Sequence, residues 1–597
     1  MKNNLIKQNG VRLLGRCTHS LLTMCAVLLL SISGLVEAKA QMTYVSLPYF
    51  DGLEEGVMNS GWVLNPGVNG ATAENKWYVS DVESFMGDSA LIISGDGGNT
   101  LSYTNKAVFS VAYKEIALPK GTYDLSFTWK SEGDSDKDGF YVCWVSGNTT
   151  TNSSVTAPTW LTNGLVKGIP FLNASKEWTT TTGQITQQSA TKAGKLVFVW
   201  KNDASVINPP SVVIDNIQIA KAEEQGGCGK PENVTVSALS SNIIVKWEGG
   251  ATGYELMYKK YGEEEVHVVN NINQTSHTLK DMEEGVYDVF VRSCCPDDTS
   301  IWVVKNNVLA YDPAAHCIDF INWDNPGTTF QTGKHTSGGR FDADGKFIPN
   351  VSATSTQYGV VDYGYKSKLS RHTKHYIPGE MDPNTGNELP TVPEGEVVSV
   401  RLGNWNIGGE WESVTYTHQI DSGSNMILTL KYAVVIEDPG HQPRSDQPVF
   451  MLELLDEYNN PLDATGCGDA NFFADTKTLI SNPNSDGTWH QIGTGDKTVL
   501  WKEWTTVGIN VGQYAKYGPL KFKIRLTTYD CAHGGHFGYA YFTLSCSEAK
   551  IEGLSCGENA GKNILAPSGF NYRWYRVRGD STVCTTQNLQ GIAKNDT

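Results

Sequence analysis

The sequence predicts an all-β chain, built as two jelly-roll β-sandwiches on either side of a smaller sandwich. Three observations predict it. Apolar residues alternate with more polar ones in run after run, as in Val234 and Val236, then Ile243, Val245 and Trp247, then Tyr287, Val289 and Val291, the period of half-buried antiparallel strands. Clusters of Gly, Asn and Asp punctuate these runs and supply the turns. Helix-forming residues are concentrated nowhere after residue 40, whereas Gly, Thr, Val, Tyr and Trp are, which is the composition of sheets.

At 597 residues the chain has room for about three to five domains. The first forty residues read as a cleaved leader: Lys2, Lys7, Arg12 and Arg16, then the apolar run Leu21 to Val36, then Ala38-Lys39-Ala40 before Gln41. The apolar run is too short for a comfortable span, so cleavage leaves no membrane-inserted segment and delivers residues 41 onward to an oxidising compartment. A net charge of -17 argues against nucleic acid or an anionic membrane as partner. Such surfaces want clustered Lys and Arg, and the sequence shows no obvious cluster.

Residues 41–222 form the first jelly roll, with strands such as Lys76-Trp77-Tyr78-Val79, Leu125-Ser126-Phe127-Thr128-Trp129 and Leu196-Val197-Phe198-Val199-Trp200 between short turns. Its opening Phe50-Asp51-Gly52, central LSFTWK and closing Ile214-Asp215-Asn216-Ile217 resemble the MAM-like and cleaved-adhesin jelly rolls of Bacteroidetes surface proteins. That resemblance implies a structural calcium held by an acid of the first strand, Asp51 or Glu54, and by Asp215 of the last. Calcium takes six to eight oxygens, so two carboxylates with loop carbonyls are a start. Asp134, Asp136 and Asp138 before Gly139 spell the first half of an EF-hand-type loop, but position twelve is Val145 rather than Glu and a strand follows. A solvated acidic hairpin is the plainer reading.

Residues 228–304 hold the small sandwich. Trp247 falls late in its second strand, and Leu279 to Tyr287 has the spacing of a leucine and a corner tyrosine. These residues resemble a fibronectin type III module, whose usual role is spacing or binding. Residues 305–316 read as a linker. Residues 317–548 repeat the plan of the first unit on a larger scale, from CIDFINWDN through KYAVVIEDPGH to HFGYAYFTLSC, and read as a second, larger jelly roll. Its last strand lacks the Asp of Ile-Asp-Asn-Ile, leaving Asp319 without a partner for a cation. Residues 549–597, with Cys556 and Trp574, resemble the opening of an immunoglobulin-like or PKD-type module that stops before it is complete. Arg578-Gly579-Asp580 there is read as an exposed turn.

Cysteines gather at domain edges, where a disulfide closes a long loop. We expect Cys228 bonded to Cys294 or Cys295, Cys317 to Cys546, and Cys467 to Cys531; spacing alone does not fix connectivity. No Cys-x-x-Cys pair suggests zinc. His372 and His375, like His533 and His536, stand three apart, and on a strand such residues face opposite ways. There is no phosphate-binding glycine loop. The expectation is a non-catalytic, secreted or surface-displayed adhesin-like protein that binds glycans or extracellular proteins. The alternative is the accessory, substrate-binding portion of a secreted protease or glycoside hydrolase. Trp62, Trp77 and Trp129 are placed in the core rather than offered to sugars.

Overall fold

The computed structural model describes residues 43–597 apart from 55–59, 69–73, 135–136, 314–315, 323–325, 344, 356–370, 441–442, 463–469, 483–486, 549–562, 567–571, 576–581, 585–587 and 591–597. The leader, Asp136, Cys467, Cys556 and Arg578-Gly579-Asp580 therefore lie outside the described residues. What is described is all-β, with every ladder antiparallel and helices reduced to short pieces such as Leu161–Gly164 and Thr476–Leu479.

In the first sandwich one sheet runs Lys76–Ser80, Ala90–Ser94, Val213–Lys221, Gly121–Ser131, Ser175–Gln187, with the short strand Tyr49–Asp51 also paired to Val213–Lys221. The facing sheet runs Trp62–Leu64, Val108–Ile116, Gly194–Asn202, Gly139–Ser146. Because side chains alternate along a strand, Tyr123, Leu125, Phe127 and Trp129 all point inward, where they meet Phe140, Phe198 and Trp200. Phe127 and Phe198 pack edge to face with centroids 5.5 Å apart. Trp62, Trp77 and Trp129 are 4%, 0% and 3% exposed, so none of them is a platform for a sugar. Burying each such ring stabilises the fold by roughly 1.5–3 kcal/mol.

The central sandwich has the fibronectin type III plan. A three-stranded sheet, Glu232–Leu239, Asn242–Glu248, Ser276–Leu279, faces a four-stranded one, Val266–Ile272, Gly253–Lys260, Gly285–Cys294, Val303–Ala310. Trp247 packs edge-on against Tyr254 in the core, and the Tyr287 hydroxyl donates to the Glu283 carbonyl at 2.9 Å, the tyrosine corner its spacing implied. One boundary needs correction: Lys305 to Ala310 is no linker but most of the module's last strand. Its Lys305-Asn306-Asn307 stretch is polar because it forms a bulge there, with Asn306 and Asn307 both donating to Asp288 Oδ1.

This module lies against the first sandwich. Met257, Phe290 and Val304 form one row across three of its strands, and with Trp302 they enclose Phe85 and the partly buried Trp178. The Trp302 amide donates to Gln218 Oε1 at 3.0 Å. Val213–Lys221 is consequently buried on both faces along nearly its whole length.

The larger sandwich joins two six-stranded sheets. One runs Val351–Ser355, Thr328–His335, Glu410–Ile420, Leu520–Tyr529, Val449–Asp456, Ala470–Phe473; the other runs His372–His375, Ser399–Gly403, Gly538–Glu548, Met426–Asp438, Thr498–Ile509, Trp489–Ile492. Between them lies a core that includes Val414, Tyr416, Leu430, Phe450, Ile524 and Phe542. Disulfides Cys228–Cys295 and Cys317–Cys546 close the module and the larger sandwich at their ends. In the C-terminal tail the described strands form two small ladders, Asn563–Leu565 with Asn588–Gln590 and Trp574–Tyr575 with Thr582–Cys584.

Candidate functional site

The carboxylates singled out for calcium are engaged otherwise. Asp51, only 8% exposed, accepts from the Leu53 amide, Trp62 Nε1, the Tyr49 hydroxyl and Lys114 Nζ, the last an ion pair of 2.7 Å. It ties the first strand to the opposite sheet. Asp215 is fully buried, and its two oxygens accept from the amides of Phe85, Met86 and Asn216. Burial, with a contribution from the charge of Glu54, pushes its carboxyl up to about 7. Glu54 caps the same loop by accepting from the amides of Asp88 and Ser89. The structure thus brings Glu54 and Asp215 together over residues 85–89 and leaves Asp51 elsewhere. An amide N–H aimed at a carboxylate oxygen occupies one of its lone pairs, so the donors already on Asp51, Glu54 and Asp215 would compete with a cation for these oxygens.

The Asp134 to Asp138 stretch does not converge either. Asp134 pairs with Lys137 and Ser205 at the surface. Asp138 turns inward, 1% exposed, and accepts from the Tyr103 hydroxyl and the Asp203 amide. It is a buried tie between loops, so the solvated hairpin holds for Asp134 but not for Asp138. Among the described residues no three His, Cys, Asp or Glu side chains come together as a cation site.

Of the expected disulfides, the structure forms Cys228–Cys295, which selects Cys295 over Cys294, and Cys317–Cys546. The expected Cys467–Cys531 bridge involves Cys467, outside the described residues; Cys531 itself is a buried thiol whose sulfur accepts from the His533 amide in its own tight turn. His372 and His375 do face opposite ways. His372 meets Phe330 in the core at 4.5 Å, whereas His375 contacts Glu380 at 2.8 Å and Tyr541 on the outer face. Burial lowers the pKa of both, holding them neutral.

A buried acid centre in the larger sandwich went unread in the sequence. On Glu410–Ile420, Glu410 and Glu412 share the parity of Val414 and Tyr416, so both point between the sheets. Glu412 is 1% exposed beside Asp530, 3% exposed, and Arg371 spans the pair Glu410 and Glu412 at 2.8 and 3.7 Å. Asp530 accepts from the amides of Gly408, Glu410 and Gly538. Burial pushes Asp530 up to about 8 and drives Glu412 well above the carboxylate range, each reinforced by neighbouring acids. The space is tight: Gly403 has φ +83°, and a Cβ there would come within 2.7 Å of Thr528 Oγ1. The parity of Glu410 and Glu412 was the available signal. The cluster joins Arg371 to the buried end of the sandwich.

The open concave surface lies instead at the junction of the module and the larger sandwich. A groove of about 850 Å³ runs along residues 234–240 and 305–309 and is closed by Asp319, Asn322, Lys374 and Tyr376. Its walls include two strand edges: among the described residues Glu232–Leu239 pairs only with Asn242–Glu248, and Val303–Ala310 only with Gly285–Cys294. Burial raises the Asp319 carboxyl, against which the Asn322 side chain, His316 and Lys374 act.

No family model and no curated protein matches the chain. Solved structures are similar to parts of it. The K1 cleaved adhesin domain of Lys-gingipain from Porphyromonas gingivalis W83 is 14% identical over 30% of this chain and 99% of that one, with a TM-score of 0.19. The C-terminal family 22 carbohydrate-binding module of Clostridium thermocellum Xyn10B is 15% identical over 29% and 93%, with a TM-score of 0.20. A two-domain fibronectin type III segment of chicken tenascin is 12% identical over 32% and 95%, with a TM-score of 0.14. At such identities the likeness is one of fold.

Proposed function

We propose that this chain is an exported, non-catalytic, adhesin-like protein that binds an extracellular glycan or protein. The observation that carries this reading is the junction groove, an open concave surface walled by unpaired strand edges and polar side chains. The strongly perturbed carboxyls support it from the other side. Asp215, Asp382, Glu412 and Asp530 are 0%, 0%, 1% and 3% exposed, and an acid that catalyses hydrolysis must reach its substrate. Two disulfides suit an oxidising exterior.

The test is an array of glycans and matrix proteins probed with the purified chain and with Ser237→Trp, which fills the groove from an exposed position. Binding to one class, lost in the variant, supports the reading. Binding that the variant leaves intact moves recognition away from the groove, and hydrolysis of an arrayed glycan or protein overturns the non-catalytic role.

A further inference from the structure

The larger sandwich carries a second surface of a different character. Along Leu520–Tyr529 the residues Phe522, Ile524 and Leu526 face the core, so alternation presents Lys521, Lys523 and Arg525 together on the outer face. Successive members of such a row stand about 7 Å apart. Register places Gln419, Thr417 and Thr415 beside them on one side and Glu453 beside Arg525 on the other. Thr329 continues the row beyond Thr415. On this half of the sheet Thr329, Gln419 and Lys521 are exposed and Thr415, Thr417, Lys523 and Arg525 half-buried, while Leu455 beside Lys523 is buried. The other half is covered: Phe347 of the hairpin Arg340–Phe341 and Phe347–Ile348 packs on Trp411, Met451 and Tyr529.

Two of the cations are held in place. Asn459 Oδ1 accepts from both Lys523 Nζ and Arg525 Nη2 at 3.0 Å, Lys523 also donates to the Glu457 carbonyl, and Arg525 lies 3.5 Å from Glu453. Lys346 reaches the other Glu453 oxygen, so cations outnumber the one acid on the face. The acids Asp456 and Glu457 stand at the turn that ends the strand, where Asp456 is occupied by the amides of Tyr458 and Asn460. In that turn Tyr458 is 75% exposed, and Tyr517, before Leu520, is 90% exposed with Lys516 over its ring.

We propose that this face binds an anionic polysaccharide, with Lys521, Lys523 and Arg525 meeting its carboxylates or sulfates and Tyr458 stacking on a sugar ring. The site is independent of the junction groove. Charge complementarity selects an anion, since a row of three cations, two of them held by neighbours, in a chain of net charge -17 is a local exception that long-range repulsion elsewhere does not erase within about 8 Å. The neighbours are hydroxyls and amides on a flat surface, which suit sugar hydroxyls and offer no pocket for the aromatic anchor of a protein interface. Duplex nucleic acid, with one charge per about 1.7 Å, wants more cations than these three and is repelled by the remainder of the chain.

The experiment measures retention of the full chain on immobilised heparin and polygalacturonate, with dextran, duplex DNA and phosphatidylglycerol vesicles as comparison probes. The expected result is binding to one or both acidic polysaccharides and not to dextran, weakening with added salt. Lys521→Glu alone, at an exposed position, lowers affinity several-fold; Lys521→Glu with Lys523→Glu lowers it at least tenfold; Ser237→Trp leaves it unchanged. Absence of binding to both acidic polymers, binding indifferent to the charge reversals, or tighter binding to DNA or vesicles overturns the proposal.

Discussion

Phe85 of the first sandwich and Phe290 of the fibronectin type III module pack with ring centroids 6.0 Å apart. The contact covers part of the outer face of the six-stranded sheet beside Val213–Lys221, and the two units share a hydrophobic seam. Phe85→Ala removes the ring at its centre and is expected to cost about 3 kcal/mol, the low end for a buried Phe. Calorimetry checks this: the wild-type first sandwich and module unfold together, and the variant shows a separate, earlier transition for the module.

The acid centre sets a pH dependence. Glu412 and Asp530 keep their protons to higher pH in the folded chain than in the unfolded one, so folding takes up protons and stability falls as pH rises from about 4 through about 8. The buried histidines His335, His372 and His375 act oppositely, costing stability only below their unfolded pKa of about 6.5. From pH 6.5 to 8.5 the acids therefore act alone among these groups. Thermal unfolding across that interval is expected to show a loss on the order of 1–2 kcal/mol, and Glu412→Gln is expected to flatten it. A wild-type profile that is level or rising contradicts the assignment.

Opening a disulfide frees a long loop. For sequence separations of 67 and 229 the chain-entropy relation gives about 4 and about 5 kcal/mol for Cys228–Cys295 and Cys317–Cys546. Cys→Ala pairs at these positions are expected to destabilise the module and the larger sandwich respectively. Non-reducing peptide mapping is expected to recover both cross-links and to find Cys143 and Cys531 alkylated only after denaturation, since both are buried and burial pushes the Cys143 thiol up to about 12.

Chelation separates the calcium expectation from the geometry. With Asp51 in an ion pair and Asp215 accepting from three amides, a chelator is expected to leave the melting temperature of the first sandwich unchanged, whereas Asp51→Ala, which strands Lys114 and Trp62 Nε1, is expected to cost about 2–4 kcal/mol. A chelator-induced drop in melting temperature refutes this arrangement.

Much of the fold was legible because strand periodicity is a local property. The inward sets Phe127 and Trp129, Val245 and Trp247, Ile524 and Leu526 are written two residues apart. The Tyr287 corner was legible for the same reason, its acceptor standing four residues away. The polar bulge at Asn306 and Asn307 hid a strand, because its partner Asp288 lies eighteen residues back. The cationic row of Lys521, Lys523 and Arg525 is spaced at the period of two that a sheet imposes, so it forms a patch only once the strand is folded.

The sequence by itself determined the class of fold and the order of the β units, since these follow from short-range alternation and turn residues, while the structure chose Cys295 over Cys294 as the partner of Cys228. Tertiary structure decided everything that depends on which neighbour a side chain meets across the sheets. It gave Asp51 to Lys114, Asp215 to a loop 130 and 129 residues away, and Cys531 to its own turn, and it placed the junction groove between two units. A carboxylate reads the same in sequence whether it holds a cation, an amide or a proton. Only burial and the donors around it determine which.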